Sequence, residues 1–181
     1  MVVRCGIRTL NAPLVLSEDQ QRFWMGLLLQ RAEAIGRQGE VPVSALVLDG
    51  KGRCIGFGGN TRERDQDPLG HAELVAIRQA TVLRGDWRLN DCTLLVTLEP
   101  CPMCAGALVQ ARMGQVIYGA RDPKRGAMGG TIDLSQHPSA HHHMKVIGGV
   151  LEEEASTMLA QWFRLRRRRA DGTSAARSQT D

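Results

Sequence analysis

No apolar run in this 181-residue chain approaches the roughly 20 residues needed to cross a bilayer. A membrane-spanning helix is therefore not expected. Residues Met1 to Gln20 also lack the continuous apolar core of a secretory signal, which makes the cytoplasm the expected compartment. Lysine is scarce, since 20 of the 23 basic residues are Arg, and the planar guanidinium suits phosphate and base recognition better than an ammonium does. Net charge is missing from most of the chain. Residues 1–163 carry 17 Lys plus Arg against 17 Asp plus Glu, whereas residues 164–181 carry six Arg against two Asp. Cysteine is too sparse for a disulfide-stapled secreted domain, and the five present (Cys5, Cys54, Cys92, Cys101, Cys104) are an odd number. Internal repeats and long low-complexity blocks are lacking too. What remains is a soluble composition, 43% hydrophobic and 23% charged, with length for one domain and no room for two.

Along the chain, Met1–Leu16 reads as an N-terminal extension, residues 17–169 as the domain and residues 170–181 as a polar, disordered tail. Ser17 begins a capping pattern, and the apolar spacing of Trp24, Leu27, Leu28 and Ile35 predicts a helix over Glu18–Arg37. Val43–Leu48 and Arg53–Gly58 flank turn residues and predict a hairpin, followed by a polar loop over Asn60–Gly70. Further helices are expected over His71–Leu83, Pro102–Ala111 and Leu151–Arg169, with strands over Thr93–Leu98, Gln115–Gly119 and Lys145–Ile147. The continuously apolar Thr93–Leu98 belongs at the centre of a sheet. A hairpin followed by alternating helices and strands argues for a three-layer α/β/α sandwich around a mixed five-stranded sheet with helices on both faces. The 25-residue connection Ala120–Met144 is long for a compact domain and is expected to hold a short helix near Ile132–Gln136.

Chemistry gathers at two expected helix starts, His71-Ala72-Glu73 and Pro100-Cys101-Pro102-Met103-Cys104. Each alone is weak, because a lone His or Cys pair is more often ordinary packing. Together and in this order they match the His-x-Glu and Pro-Cys-x-x-Cys signature of zinc-dependent base deaminases. Two Cys three apart at a helix N-terminus share a face, and both helix dipole and metal favour their thiolates. His71, Cys101 and Cys104 make three ligands of a tetrahedron, with the fourth place open to water as in catalytic zinc sites. Glu73 diverges from His71 by about 200° on an ideal helix, so it takes a different part, proton transfer.

Six segments sharpen the match: Gly39–Val43, Asn60, Asp67-Pro68, His71-Ala72-Glu73, Thr97–Ala107 and Gly119-Ala120-Arg121-Asp122. From about Ser17 to Arg169 the chain resembles the bacterial tRNA-specific adenosine deaminases, which belong to the cytidine deaminase-like fold. The resemblance implies conversion of adenosine to inosine at the wobble position of a tRNA anticodon. It implies one catalytic zinc per chain on His71, Cys101 and Cys104, Glu73 as proton shuttle, Asn60 on the extruded adenosine, and a homodimer. The chain departs from the family pattern at His141-His142-His143 and at Trp162-Phe163.

The RNA contacts expected beyond the metal site are Phe163 and Asp122 near the loop bases, with Arg166 and Arg167 on phosphates of the anticodon stem-loop. The stripe Leu151, Ala155, Met158, Leu159, Trp162 reads as core packing that anchors this arginine-rich helix end. The three histidines read as a solvated loop in preference to an accessory metal site. Cys5 reads as an exposed thiol, Cys54 and Cys92 as small core residues. Two other classes stay open at this point: a guanine, cytosine or nucleoside deaminase of the same fold, and a noncatalytic RNA-binding module with a structural zinc.

Overall fold

The structure, a computed structural model, describes the backbone of residues 12–177 and the side chains of residues 12–168. The first helix, α1 (Glu18–Arg37), opens on a reciprocal cap: Gln20 N donates to Ser17 Oγ at 3.2 Å and Ser17 N to Gln20 Oε1 at 2.9 Å. Two N–H groups that a helix start leaves unpaired are thereby satisfied. The buried stripe is Met25, Leu28 and Ala32. Leu27, expected on that face, lies about 100° around the axis from Leu28 and is 38% exposed.

Strands β1 (Ser44–Leu48) and β2 (Cys54–Gly59) form the expected antiparallel hairpin. Its turn is bound by Asp49, whose Oδ1 accepts from Lys51 N at 2.9 Å and Arg53 N at 3.0 Å. β3 (Thr93–Leu98) pairs antiparallel with β1, β4 (Gln115–Ala120) parallel with β3, and β5 (Lys145–Ile147) parallel with β4. The order β2-β1-β3-β4-β5 puts the apolar β3 in the middle, as its sequence requires.

Side chains alternate across the sheet. Ala45, Val47, Leu94, Val96 and Val116 pack in one core cluster with Ala72, Ala76 and Ala80 of α3 (Ala72–Arg84) and Ala105 and Leu108 of α4 (Pro102–Gln110). Leu46, Leu48, Leu95 and Ile117 face the other way, toward Met25 and Leu28 of α1. Beside α1 lies α5 (Glu152–Arg177), joined to it by a bond from Trp162 Nε1 to Gly36 O at 3.0 Å. The result is the α/β/α sandwich with a mixed five-stranded sheet.

Five expectations need correction. The polar loop holds a short helix, α2 (Arg62–Asp65), because Glu40 Oε1, 23 residues upstream, accepts from Glu63 N at 2.9 Å and from Arg64 N at 2.8 Å. No helix forms over 132–136. There Asp133 Oδ1 takes bonds from Ser135 N at 2.9 Å and Ser135 Oγ at 2.6 Å, a local turn that competes with helix, and Met128 and Asp133 form an isolated antiparallel bridge. The last helix continues to Arg177 instead of ending at Arg169. The N-terminal segment is not loose throughout, since Leu16 is 5% exposed and Leu14 packs beside it against the α1 face. Met1–Asn11, with Cys5, and residues 178–181 lie outside the described residues. Cys92 is buried as expected, but Cys54 is exposed on the edge strand β2. Among the described residues, no helix is long and apolar enough to cross a membrane.

Candidate active site

α3 can carry chemistry against the sheet because its contact with β2 is a seam of small residues. Ala72, Ala76 and Ala80 are fully buried. A Cβ at Gly56 would collide with Ala76 O, and one at Gly58 with Ala72 O. Only glycine lets the helix backbone lie this close to the strand. The first turn of α3 is thus fixed against the end of β2. Asn60, just beyond that strand, accepts from Ala72 N on its Oδ1 at 3.0 Å.

His71 and Cys101 are the N-cap residues of α3 and α4, both extended in backbone and both without a side-chain capping bond. Their side chains are left to project from two adjacent helix starts. Pro102 at N1 ends the approach from β3 and begins α4. His71 Nδ1 lies 3.7 Å from Cys101 Sγ and 3.5 Å from Cys104 Sγ, and all three ligand atoms fall within 4.8 Å of one another. Zinc bonds of about 2.0–2.3 Å in a tetrahedron require ligand separations of about 3.3–3.8 Å. The imidazole-to-thiol distances meet that geometry, and two thiols with an imidazole are a donor set that zinc accepts. Among the described residues this is the one group of three or more such side chains able to hold a metal ion.

Glu73, 4% exposed, points inward from the same turn. Burial pushes its carboxyl up to about 7, opposed in part by a hydrogen bond from its own backbone N–H and by the charge of His71. Taken as protein groups alone, the two thiols share a proton. The hydrogen bond from Cys104, with lesser help from His71, pulls Cys101 down to about 3 against the cost of burial. The same bond, together with burial and the nearby Glu73, raises Cys104. His71 is raised, chiefly by its bond to Cys101.

A cavity of about 600 Å³ opens on His71 and Cys101, and Arg62, Lys124, Arg125 and Ile132 are among the other residues that line it. Sequence reading missed these three cations, although each stands within a few residues of a motif that it did use. Asn60, Asp122, Phe163, Arg166 and Arg167 do not line this cavity. Asn60 is 9% exposed and braces α3. Asp122 holds its own turn, accepting on Oδ1 from Lys124 N at 2.9 Å and Arg125 N at 3.0 Å. Phe163 is 43% exposed and sits edge-on to Trp162, their centroids 5.0 Å apart.

Arg166 is engaged with the body: NH1 donates to Gly39 O at 2.8 Å, its guanidinium lies 5.2 Å from the centroid of the Trp162 ring, and NH2 is 3.9 Å from Glu63 Oε2. Arg167 is exposed. In the histidine triplet, His142 is half-buried with Nε2 at 2.8 Å from Met113 O, while His141 and His143 are exposed. The triplet does not join the ligand group.

A mixed sheet with two helix starts converging as His/Cys/Cys beside a buried glutamate defines the class. The family model of MafB19-like deaminases matches residues 18–154, and the chain belongs to that family. Within it the chain belongs with the tRNA-specific adenosine deaminases. It is 43% identical over 145 residues to the tRNA-specific adenosine deaminase of Bacillus subtilis, a match covering 80% of this chain and 89% of the relative. A solved structure from studies of A-to-I editing by tRNA:A34 deaminases at the wobble position of transfer RNA superposes with a TM-score of 0.72 at 38% identity, over 75% of this chain and 98% of that one. The chain is also 44% identical over 171 residues to a tRNA(Ile)-lysidine synthase of Deinococcus radiodurans. That match covers 92% of this chain but spans only 29% of that relative's length.

Proposed function

We propose that this protein hydrolyses the wobble adenosine of a tRNA anticodon to inosine, releasing ammonia, with one zinc per chain held by His71, Cys101 and Cys104. The observation that carries the reading is the buried Glu73 beside three metal donors, two of which, His71 and Cys101, line one cavity with the cations Arg62, Lys124 and Arg125. The family membership supplies the substrate class. Zinc bound there supplies Lewis acidity and lowers the pKa of water toward ~7.

The protein's own groups do the rest. Glu73 takes a proton from the attacking water as its oxygen adds to C6 of the base and passes it to the adjacent ring nitrogen; it then takes the second proton from the new C6 hydroxyl and delivers it to the amine, which departs as ammonia as the C6 carbonyl forms. Burial suits it to both directions of transfer by keeping the carboxyl out of bulk solvent. Asn60 orients the extruded base from its fixed position beside α3. Arg62, Lys124 and Arg125 receive the phosphates that flank it, and Arg167 and Phe163 meet the stem-loop farther out. The cytoplasm, where mature tRNA resides, is the compartment of this activity.

Mass spectrometry of an anticodon stem-loop RNA incubated with the zinc-loaded protein tests the reading. A gain of inosine at the wobble position is expected, and unchanged adenosine at stoichiometric enzyme would overturn it. The resemblance also implies a homodimer. Light scattering should give twice the chain mass, and a monomer that is fully active would remove the dimer from the reading.

A further inference from the structure

Two residues before Cys101 stands a second buried carboxylate that the mechanism does not use. Glu99 is 2% exposed and lies on the segment between β3 and α4. Its Oε1 accepts from Met128 N at 3.0 Å and Gly130 N at 2.8 Å, and its Oε2 from Asp122 N at 3.1 Å. All three donors are main-chain N–H groups of one loop. Ala127 N adds a fourth tie, donating to Pro100 O at 2.9 Å.

The fit is close from the loop side as well. A Cβ on Gly130 would come within 2.6 Å of Glu99 Oε2, and one on Gly126 would collide with the same carboxylate. Gly130 does not have a positive φ, so its lack of a side chain serves this approach and not a turn. The loop that wraps the carboxylate carries Lys124, Arg125, Gly126 and Thr131, which line the same cavity as His71 and Cys101.

We propose that Glu99 is a positioning residue: its carboxylate moulds Asp122–Thr131 onto the end of the strand that delivers Cys101, and so sets the placement of the substrate-facing wall relative to the metal site. The inference rests on the proposed function for its substrate and deepens it. A carboxylate has two oxygens to offer three donors. A glutamine in its place has one, and if that oxygen serves Met128 and Gly130, its NH2 opposes the N–H of Asp122. The Asp122 end of the wall is then released while the volume and burial of the side chain stay the same. Because the wall binds substrate and moves no proton, the effect falls on KM and not on kcat.

The test compares wild type, Glu99→Gln and Gly130→Ala as zinc-loaded full-length protein. Gly130→Ala presses on the carboxylate from the loop side and carries the test should Glu99→Gln fail to fold. The readouts are zinc content, kcat and KM on an anticodon stem-loop RNA, and amide hydrogen exchange over 122–131. The expected result is wild-type zinc stoichiometry, KM raised about tenfold with kcat within about threefold, and faster exchange over 122–131 with α1 unchanged. Unchanged exchange, or faster exchange with an unchanged KM, would overturn the proposal, as would a loss confined to kcat or accompanied by zinc loss. A wild-type protein that leaves the RNA untouched would instead remove the proposed function, and the exchange measurement alone would then decide whether Glu99 holds the wall.

Discussion

The starts of α3 and α4 and the arginine-rich stretch of α5 both concentrate reactive or charged side chains, but they do so in opposite ways. At the helix starts, His71 meets Cys101 and Cys104 from 30 and 33 positions away in the chain, and Glu73 is buried beside them. Midway along α5, five arginines fall within six consecutive residues, 164–169. Of those whose side chains are described, all are exposed. The first region works by convergence, so each member is irreplaceable and each loss is felt by the rest. The second works by accumulation, so its members are nearly interchangeable and their losses add. Arg166 is the exception, because its bond to Gly39 O and its place over Trp162 make it part of the packing of α5 on the body.

The largest expected effect tests whether the converging region is a metal site. Cys104→Ser should abolish stoichiometric zinc and lower the melting temperature by about 5–15 °C, the range expected when a tightly bound ligand is lost from a domain of this size. Chelation of wild type should lower it by the same amount, and elemental analysis with calorimetry reads both. Full zinc content in the variant would show that the two helix starts are joined by something else.

Next in size is the separation of chemistry from binding within the same region. Glu73→Ala should retain zinc and lose 10² to 10⁴-fold or more in turnover, measured as single-turnover inosine formation. Zinc loss in this variant would place Glu73 in the coordination or its support. Undiminished turnover would take it out of the mechanism.

The accumulating region should respond in smaller, additive steps. Arg167→Gln with Arg168→Gln should weaken RNA binding and flatten its dependence on salt by about 0.7 to 0.9 in log-log slope for each phosphate that an arginine no longer neutralises. The maximal rate at saturating RNA should hold. An unchanged slope would reduce these arginines to a solvated helix face and nothing more.

Smallest is the change that should behave like neither group. Trp162→Phe removes the indole N–H that meets Gly36 O and disturbs the seat of Arg166. It should cost about 1 kcal/mol of stability, or about 2–4 °C, while zinc content and kcat stay at wild-type levels. A fall in kcat would tie the α1–α5 seam to the catalytic region and undo the contrast between the two.

The legible parts of the sequence were those in which neighbours along the chain determine the outcome. The Ser17–Gln20 cap, the Asp49–Gly52 turn and the apolar β3 act over a few residues, and each appears where its pattern puts it. Reading failed where a distant partner decides. α2 exists because Glu40 caps it from outside the loop. The expected 132–136 helix failed for a local reason instead, since Asp133 turns the chain there by accepting from Ser135. Cys54 misled for a different reason: a small apolar residue in a strand reads as core, but β2 is the edge of the sheet, and edge position belongs to topology.

By itself, then, the sequence determined the alternation of elements, the mixed sheet, the His-x-Glu and Pro-Cys-x-x-Cys ligand pattern, and the location of the surplus positive charge. Periodicity, capping and residue chemistry are local and survive in a one-dimensional string. Tertiary structure alone decided that Arg166 bonds to the body, that Asn60 and Asp122 brace the backbone near the site, and that Arg62, Lys124 and Arg125 line one cavity with His71 and Cys101. It also decided that Glu99, read in the sequence only as part of the Thr97–Ala107 match, accepts from three main-chain N–H groups of the loop that lines the cavity. A hydrogen bond spans only about 3 Å, so which donor reaches which acceptor depends on how the layers stack, and that placement is set by the packing of the whole domain.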